Sequence, residues 1–85
     1  MNPYISAEES ARLTREIHAL PPYVEEALQA RDLVAAYRAR PAYQKNDYVG
    51  WITRAKREAT RQKRLAQMLE ELERGDKYMK MDYGG

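Results

Sequence analysis

Apolar residues recur at three- and four-residue intervals along most of the chain, and this spacing constrains its fold more than any other feature. The same i, i+3, i+4, i+7 pattern occurs twice, in Tyr48, Trp51, Ile52 and Ala55 and again in Leu65, Met68, Leu69 and Leu72. Residues at this spacing lie on one face of an α-helix. No alternating run is long enough to predict a paired strand. The pattern therefore predicts an all-α fold, a small bundle of about four to five helices.

Residues that cap or end helices stand between the apolar stretches, at Ser6, Glu9, Pro21, Pro22, Asp32, Pro41 and Gly75. A serine and a glutamate three positions apart form a capping box, a proline ends one helix or opens the next, and a glycine often follows a last turn. The aspartate can cap a third helix. The alternative is that the second and third segments form one bent helix. The predicted helices span about residues 7–19, 22–30, 32–40, 44–57 and 60–74.

The two apolar stripes in the second half of the chain are out of phase. One straight helix that carried both would show them misaligned by roughly a quarter turn. We therefore predict a break between Lys56 and Thr60, with the Thr60 hydroxyl capping the last helix. Trp51 lies on the first stripe and is predicted to pack in the core.

The chain has 85 residues, which is enough for one domain. We assign residues 1–75 to a single helical domain and residues 76–85, which carry no sustained pattern and end in two glycines, to a mobile tail. The sequence has no cysteine, so disulfides and thiolate chemistry are excluded. No stretch approaches the roughly 20 apolar residues of a membrane span, and no signal peptide is recognisable. We expect a cytoplasmic location without membrane insertion.

Positive charge is concentrated between residues 50 and 64, which carry six cations against the single acid Glu58. Arg61 lies on the apolar stripe, so we predict a structural role in which its guanidinium pairs with Asp47 or Glu58. The remaining cations form a candidate partner-binding surface of Arg54, Lys56, Arg57, Lys63 and Arg64. Such a surface could bind the phosphates of a nucleic acid or of lipid headgroups, or it could be a solvated helix face.

Residues that could carry catalysis do not form a recognisable set. His18 is the only histidine, and without cysteine it would need three carboxylates to hold a metal ion. The adjacent glutamates at residues 25–26 and 70–71 point in different directions on a helix, so they do not form an acid/base pair. Neither a nucleophile triad nor a glycine-rich phosphate loop is present. We predict no enzymatic activity, no cofactor and no metal site.

The region from Leu20 to Gly75 carries an ordered set of short motifs. They are Pro21 to Leu28, Asp47 to Ile52, Ala55-Lys56, Glu58, Thr60-Arg61 and Lys63 to Leu65. In this order and spacing they resemble the YdeI/OmpD-associated family, whose name carries the label bacteriocin protection. The resemblance implies a helical module, often attached to other domains, to which no reaction is assigned. It implies no catalytic residue.

The residues and the resemblance together predict a non-enzymatic helical interaction module with an unknown protein partner. The family label implies a role in bacteriocin protection or envelope stress. Weak nucleic-acid binding through the cations between Arg54 and Arg64 is the alternative. The sequence leaves the oligomeric state open.

Overall fold

Four helices follow one another in the part of the chain that the computed structural model describes, which is residue 4 and residues 18–82. They are α1 Pro22–Ala30, α2 Val34–Ala39, α3 Ala42–Arg54 and α4 Glu58–Arg74, and a short hairpin of β1 Lys77–Tyr78 and β2 Met81–Asp82 follows them. The all-α prediction is confirmed. The predicted helix at 7–19 falls outside the described residues except for 18 and 19, which have no regular secondary structure.

Helices α1 and α2 are separate because the chain reverses at Asp32, whose φ is 56°. The amides of Asp32 and Leu33 donate to the carbonyls of Gln29 at 3.1 Å and Leu28 at 2.8 Å. This is the hydrogen bonding of a Schellman motif, and the two leucines are buried in one cluster, as is usual for it. The predicted cap at Asp32 is wrong, since Leu33 precedes α2 and no side chain caps this helix. The backbone of Asp32 ends α1 instead.

The core lies where one face of each helix meets the others. Its members are Val24, Leu28, Leu33, Tyr37, Tyr48, Ile52, Leu65, Met68, Leu69 and Leu72. Tyr48, Ile52 and the four residues of the second apolar stripe were expected here, because positions three and four apart share a helix face. Trp51 departs from the prediction, since it is half-buried and packs against the edge of this cluster.

The joint between α3 and α4 lies slightly earlier than predicted, because residues 55–57 are non-helical and α4 begins at Glu58. Thr60 is not the cap of the last helix: it lies within the first turn of α4, and no side chain caps this helix. The guanidinium of Arg61 donates to the carbonyls of Ala55 at 3.1 Å and Lys56 at 3.3 Å. These bonds satisfy backbone acceptors just beyond the end of α3, so the turn is fixed without a hydroxyl cap.

The C-terminal hairpin differs from the predicted tail without regular structure. Gly75 adopts the predicted left-handed conformation, with a φ of 81°, and ends α4. The Tyr78 ring then packs edge-on against Tyr48 and Tyr43, with centroid distances of 5.3 and 5.9 Å. Its hydroxyl donates to Asp47 Oδ2 at 2.8 Å, across a sequence separation of 31 residues. Contacts at this separation leave no trace in a local pattern, which is why the sequence reads as a tail.

His18 packs against α3 at Gly50. The backbone N–H of His18 donates to Asn46 Oδ1 at 2.7 Å. Its imidazole covers Gly50 so closely that a Cβ atom at residue 50 would lie 2.6 Å from the ring Nε2. The missing side chain at residue 50 therefore makes room for this ring.

Candidate functional site

The predicted basic surface is divided in the structure. Arg54, Lys56 and Arg57 are exposed at the joint between α3 and α4. Arg64 turns inward: its Nη1 donates to the Trp51 carbonyl at 2.6 Å, and its guanidinium carbon lies 5.3 Å from the centroid of the Trp51 ring. This cation–π contact covers the ring and accounts for the place of Trp51 at the rim of the core. Arg64 is therefore partly withdrawn from the surface on which Arg54, Lys56 and Arg57 are exposed.

Arg61 pairs with a carboxylate, as the sequence predicts. Its guanidinium forms an ion pair with Glu58, one of the two predicted partners. The other candidate, Asp47, accepts the Tyr78 hydroxyl instead. Hydrogen bonds from Gln62 and Arg61 lower the pKa of Glu58. The single acid of the basic stretch is thus already engaged by neighbours on its own helix.

Glu71 is the centre of a buried polar group that joins several elements of the fold. Although it is only 5% exposed, its carboxylate accepts the backbone N–H groups of Met79 and Lys80, both at 2.8 Å. It also accepts the amide of Gln67 at 3.1 Å and the hydroxyl of Tyr48. One side chain therefore ties α4 to α3 and to the turn of the hairpin.

The hairpin needs this carboxylate because its turn is made of unfavourable residues. Met79 and Lys80 have φ values of 52° and 65°, and positive φ at both central positions is the requirement of a type I′ turn, which favours asparagine and glycine. Side chains with a Cβ in this region cost about 1 kcal/mol or more each. The two charge-assisted bonds to Glu71 offset this strain.

The electrostatics of the Glu71 centre favour a structural role over proton transfer. Burial by itself would raise the pKa of Glu71, but the bonds from Tyr48, the Lys80 and Met79 amides and Gln67 outweigh it, and the pKa is lowered. Burial, followed by the bond to Glu71, raises the pKa of the Tyr48 hydroxyl. The carboxylate therefore stays ionised and the phenol stays protonated, which strengthens the bond between them.

A groove of about 460 Å³ runs between α4 and the hairpin, beside the Glu71 centre. Its cations come from both walls, since Lys63 and Arg74 belong to α4 while Lys77 and Lys80 belong to the hairpin. The remaining lining is supplied by Ala66, Gln67, Glu70 and Glu71. Lys63, which the sequence analysis assigns to the candidate partner-binding surface, therefore lines the groove together with the hairpin lysines.

A comparison with models of protein families matches most of the chain. The sequence model of the bacteriocin-protection, YdeI or OmpD-associated family matches residues 18–75. The chain belongs to this family. No curated protein and no solved structure matches it. The family resemblance seen in the motifs from Leu20 to Gly75 is thus confirmed.

The family match ends at residue 75, directly after α4, so the hairpin lies beyond the region that matches the family. Glu71 and Tyr48 are inside that region, and they hold a segment that is outside it. The groove therefore combines a wall from the family-matched helices with a wall from the following residues.

No helix among residues 18–82 has the length and apolar character needed to cross a membrane.

Sequence reasoning missed Glu71 and Arg40 as organising residues. Arg40 is 5% exposed and donates to Gln44 Oε1 at 3.1 Å and to the Glu71 carbonyl at 3.0 Å. One available signal was the position of Glu71, three residues after Met68 and thus on the apolar face of α4. A charged residue on such a face requires buried partners, which here come from distant elements.

The stability of the fold is expected to fall on acidification, in part through Glu71. Because its folded-state pKa lies below the ordinary value of 4.5, its contribution is present above that value and is lost as pH falls through the folded-state pKa. Urea unfolding at about pH 7 and about pH 3 measures this loss. The loss is expected to be smaller in Glu71→Gln than in Glu70→Gln, and an equal loss in both variants would contradict the assignment.

Proposed function

We propose that this chain is a non-enzymatic interaction module that docks a segment of a protein partner, and that it acts in the cytoplasm in bacteriocin protection. The observation that carries the proposal is the groove between α4 and the hairpin. It is open to solvent and preformed, because Glu71 fixes its two walls relative to each other. Recognition of a peptide segment in a groove between secondary-structure elements is a common binding mode.

The chemistry of the groove supports binding over catalysis. Its buried carboxylate, Glu71, is saturated by donors from the protein itself. Its cationic side chains come from lysine and arginine, which offer charge and apolar stems to a bound segment. These groups suit the recognition of a partner, while a reaction would require a poised acid, base or nucleophile.

The exposed cations at the joint between α3 and α4 are still predicted to contribute to partner binding. Arg54, Lys56 and Arg57 are accessible there. Their arrangement does not support nucleic-acid binding, because the neighbouring Arg61 is paired with Glu58 and Arg64 covers Trp51. The six-cation stretch thus offers a backbone phosphate fewer contacts than its sequence implied.

Site-specific photo-crosslinking in living host cells tests the proposal. A photoreactive residue in place of Gln67, in the groove, is expected to give one discrete adduct with a partner protein. The control replaces Gln29, which is exposed on α1 and does not line the groove, and is expected to give none. Equal adducts from both positions, or an adduct from neither, would contradict docking in the groove.

Survival under bacteriocin challenge tests the biological part. Cells that lack the protein are complemented with the natural sequence, with Lys63→Glu plus Lys80→Glu, or with Lys56→Glu plus Arg57→Glu. Both double variants change the net charge equally, but only the first alters the groove. We expect the first to lose protection and the second to keep it. Full protection by all three would remove the link between the groove and this function.

A further inference from the structure

We propose that the segment taken by the groove is acidic and extended, about five residues long, with an apolar residue between its flanking carboxylates. This inference rests on the proposed function, and it adds the chemistry of the partner. It follows from the length of the groove, from the placement of its charges and from the nature of its floor.

The length of the groove fits a short extended peptide. Its α4 wall runs from Lys63 to Arg74. At about 1.5 Å of rise per residue, this wall is about 16 Å long. An extended chain advances about 3.3 Å per residue, so about five residues match the wall.

The charges of the groove favour carboxylates at both ends of the peptide. Lys63 stands at one end of the α4 wall and Arg74 at the other, while Lys77 and Lys80 line the hairpin side. Two acids oppose these four cations along the lining, Glu70 and Glu71. The Glu71 carboxylate is held by donors in the wall, whereas Glu70 is exposed near the middle. An acidic residue is therefore attracted at the ends and repelled near Glu70.

Arg74 also bonds the Asp76 carboxylate, at 3.4 Å, with both side chains more than half exposed. An exposed pair of this kind contributes less than about 1 kcal/mol, so a ligand carboxylate can compete for the guanidinium. Lys63 and Lys80 are both exposed and lie on opposite walls. They are therefore the groove cations that are best placed to meet a ligand.

The floor of the groove favours an apolar residue at the centre of the peptide. Ala66 is the small apolar residue of the α4 wall, between Lys63 and Glu70. The methylene stems of lysine and arginine supply the other apolar surface, since these side chains keep only their heads in water. A leucine at the middle position would carry no charge to be repelled by Glu70 and would shield these stems from solvent.

Fluorescence anisotropy with a labelled peptide of sequence Glu-Glu-Leu-Glu-Glu tests the inference. We expect saturable binding to the full chain at low salt, weakened about tenfold or more by Lys63→Glu plus Lys80→Glu, a change that corresponds to about 1.4 kcal/mol. The matched control, Lys56→Glu plus Arg57→Glu, carries the same change in charge at the joint and is expected to stay within about twofold. The neutral pair Lys63→Gln plus Lys80→Gln serves if charge reversal disturbs folding, which circular dichroism reports.

Three outcomes would overturn the inference. One is an equal loss of affinity in both charge-reversal variants, which would reflect only the net charge. Another is equal binding of Lys-Lys-Leu-Lys-Lys, and the third is tighter binding of single-stranded DNA of similar charge that only the joint variant abolishes. An adduct at Gln67 in cells without binding of the acidic peptide would reject this chemistry and leave the interaction module intact. Loss of the adduct as well would reject both proposals.

Discussion

Replacement of Tyr37 by alanine is expected to lower the free energy of unfolding by about 3–5 kcal/mol, which is the usual cost of truncating a buried aromatic residue. Tyr37 is fully buried and belongs to the central cluster of the four helices. Its ring meets Tyr4 edge-on, with centroids 5.5 Å apart, and its hydroxyl donates to the Lys45 carbonyl at 3.3 Å. Alanine would leave a cavity and would remove the hydrogen bond of the buried hydroxyl. Urea unfolding monitored by circular dichroism measures the change.

Tyr43 provides the control of the same residue type. It is 44% exposed and touches the Tyr78 ring at the surface. Tyr43→Ala is expected to cost about 1 kcal/mol or less, because it removes one edge-on ring contact and little buried area. A larger loss of stability for Tyr43→Ala than for Tyr37→Ala would contradict the assignment of Tyr37 to the core.

Replacement of Glu71 by glutamine is expected to cost about 2–4 kcal/mol, since a buried charged acceptor is lost and its donors are left facing an amide. Glutamine keeps the size of the side chain but offers only one acceptor oxygen. It can therefore satisfy one of the two backbone N–H groups that the carboxylate binds, at Met79 and Lys80. Loss of these bonds removes the compensation for positive φ at both turn residues. Urea unfolding measures the stability.

Glu70→Gln is the matched control, because Glu70 is the exposed neighbour of Glu71. It is expected to change stability by less than about 0.5 kcal/mol. Nuclear magnetic resonance adds a local readout, in which the Met79 and Lys80 amide signals shift strongly in Glu71→Gln and little in Glu70→Gln. Unchanged stability and unchanged amide signals in Glu71→Gln would show that the hairpin does not depend on this carboxylate.

The helical core could be predicted from the sequence because its signal is local. Residues three and four apart, such as Leu65 with Met68 and Leu69, report the buried face of a helix wherever that helix lies. The role of Gly75 was equally local, since a left-handed residue ends a helix by its own backbone. The ion pair of Arg61 with Glu58 also spans less than one turn of α4.

The features that sequence reasoning missed depend on partners that are far apart in the chain. Asp32 has the side chain of a helix cap, but its backbone conformation serves the end of α1. The hairpin opposes the local preferences of Met79 and Lys80 and exists because Glu71 and Asp47 reach it from other elements.

The same limit applies to the candidate site. The basic stretch was visible, but the inward turn of Arg64 onto Trp51 was not, because both orientations of an arginine give the same sequence. The groove itself was invisible, since one of its walls is the hairpin. Charge composition can thus locate cations along a chain without showing which of them share a surface.

The close approach of His18 to Gly50 has a practical consequence for the design of variants. A methyl group at residue 50 would act as a wedge, because it would occupy the space now filled by the imidazole. The core side chains of α3, such as Tyr48 and Ile52, would keep their own contacts. Gly50→Ala is therefore expected to move His18 away from α3 and to leave the core contacts unchanged. Position 50 therefore offers experimental control over how firmly His18 is held against the helical bundle.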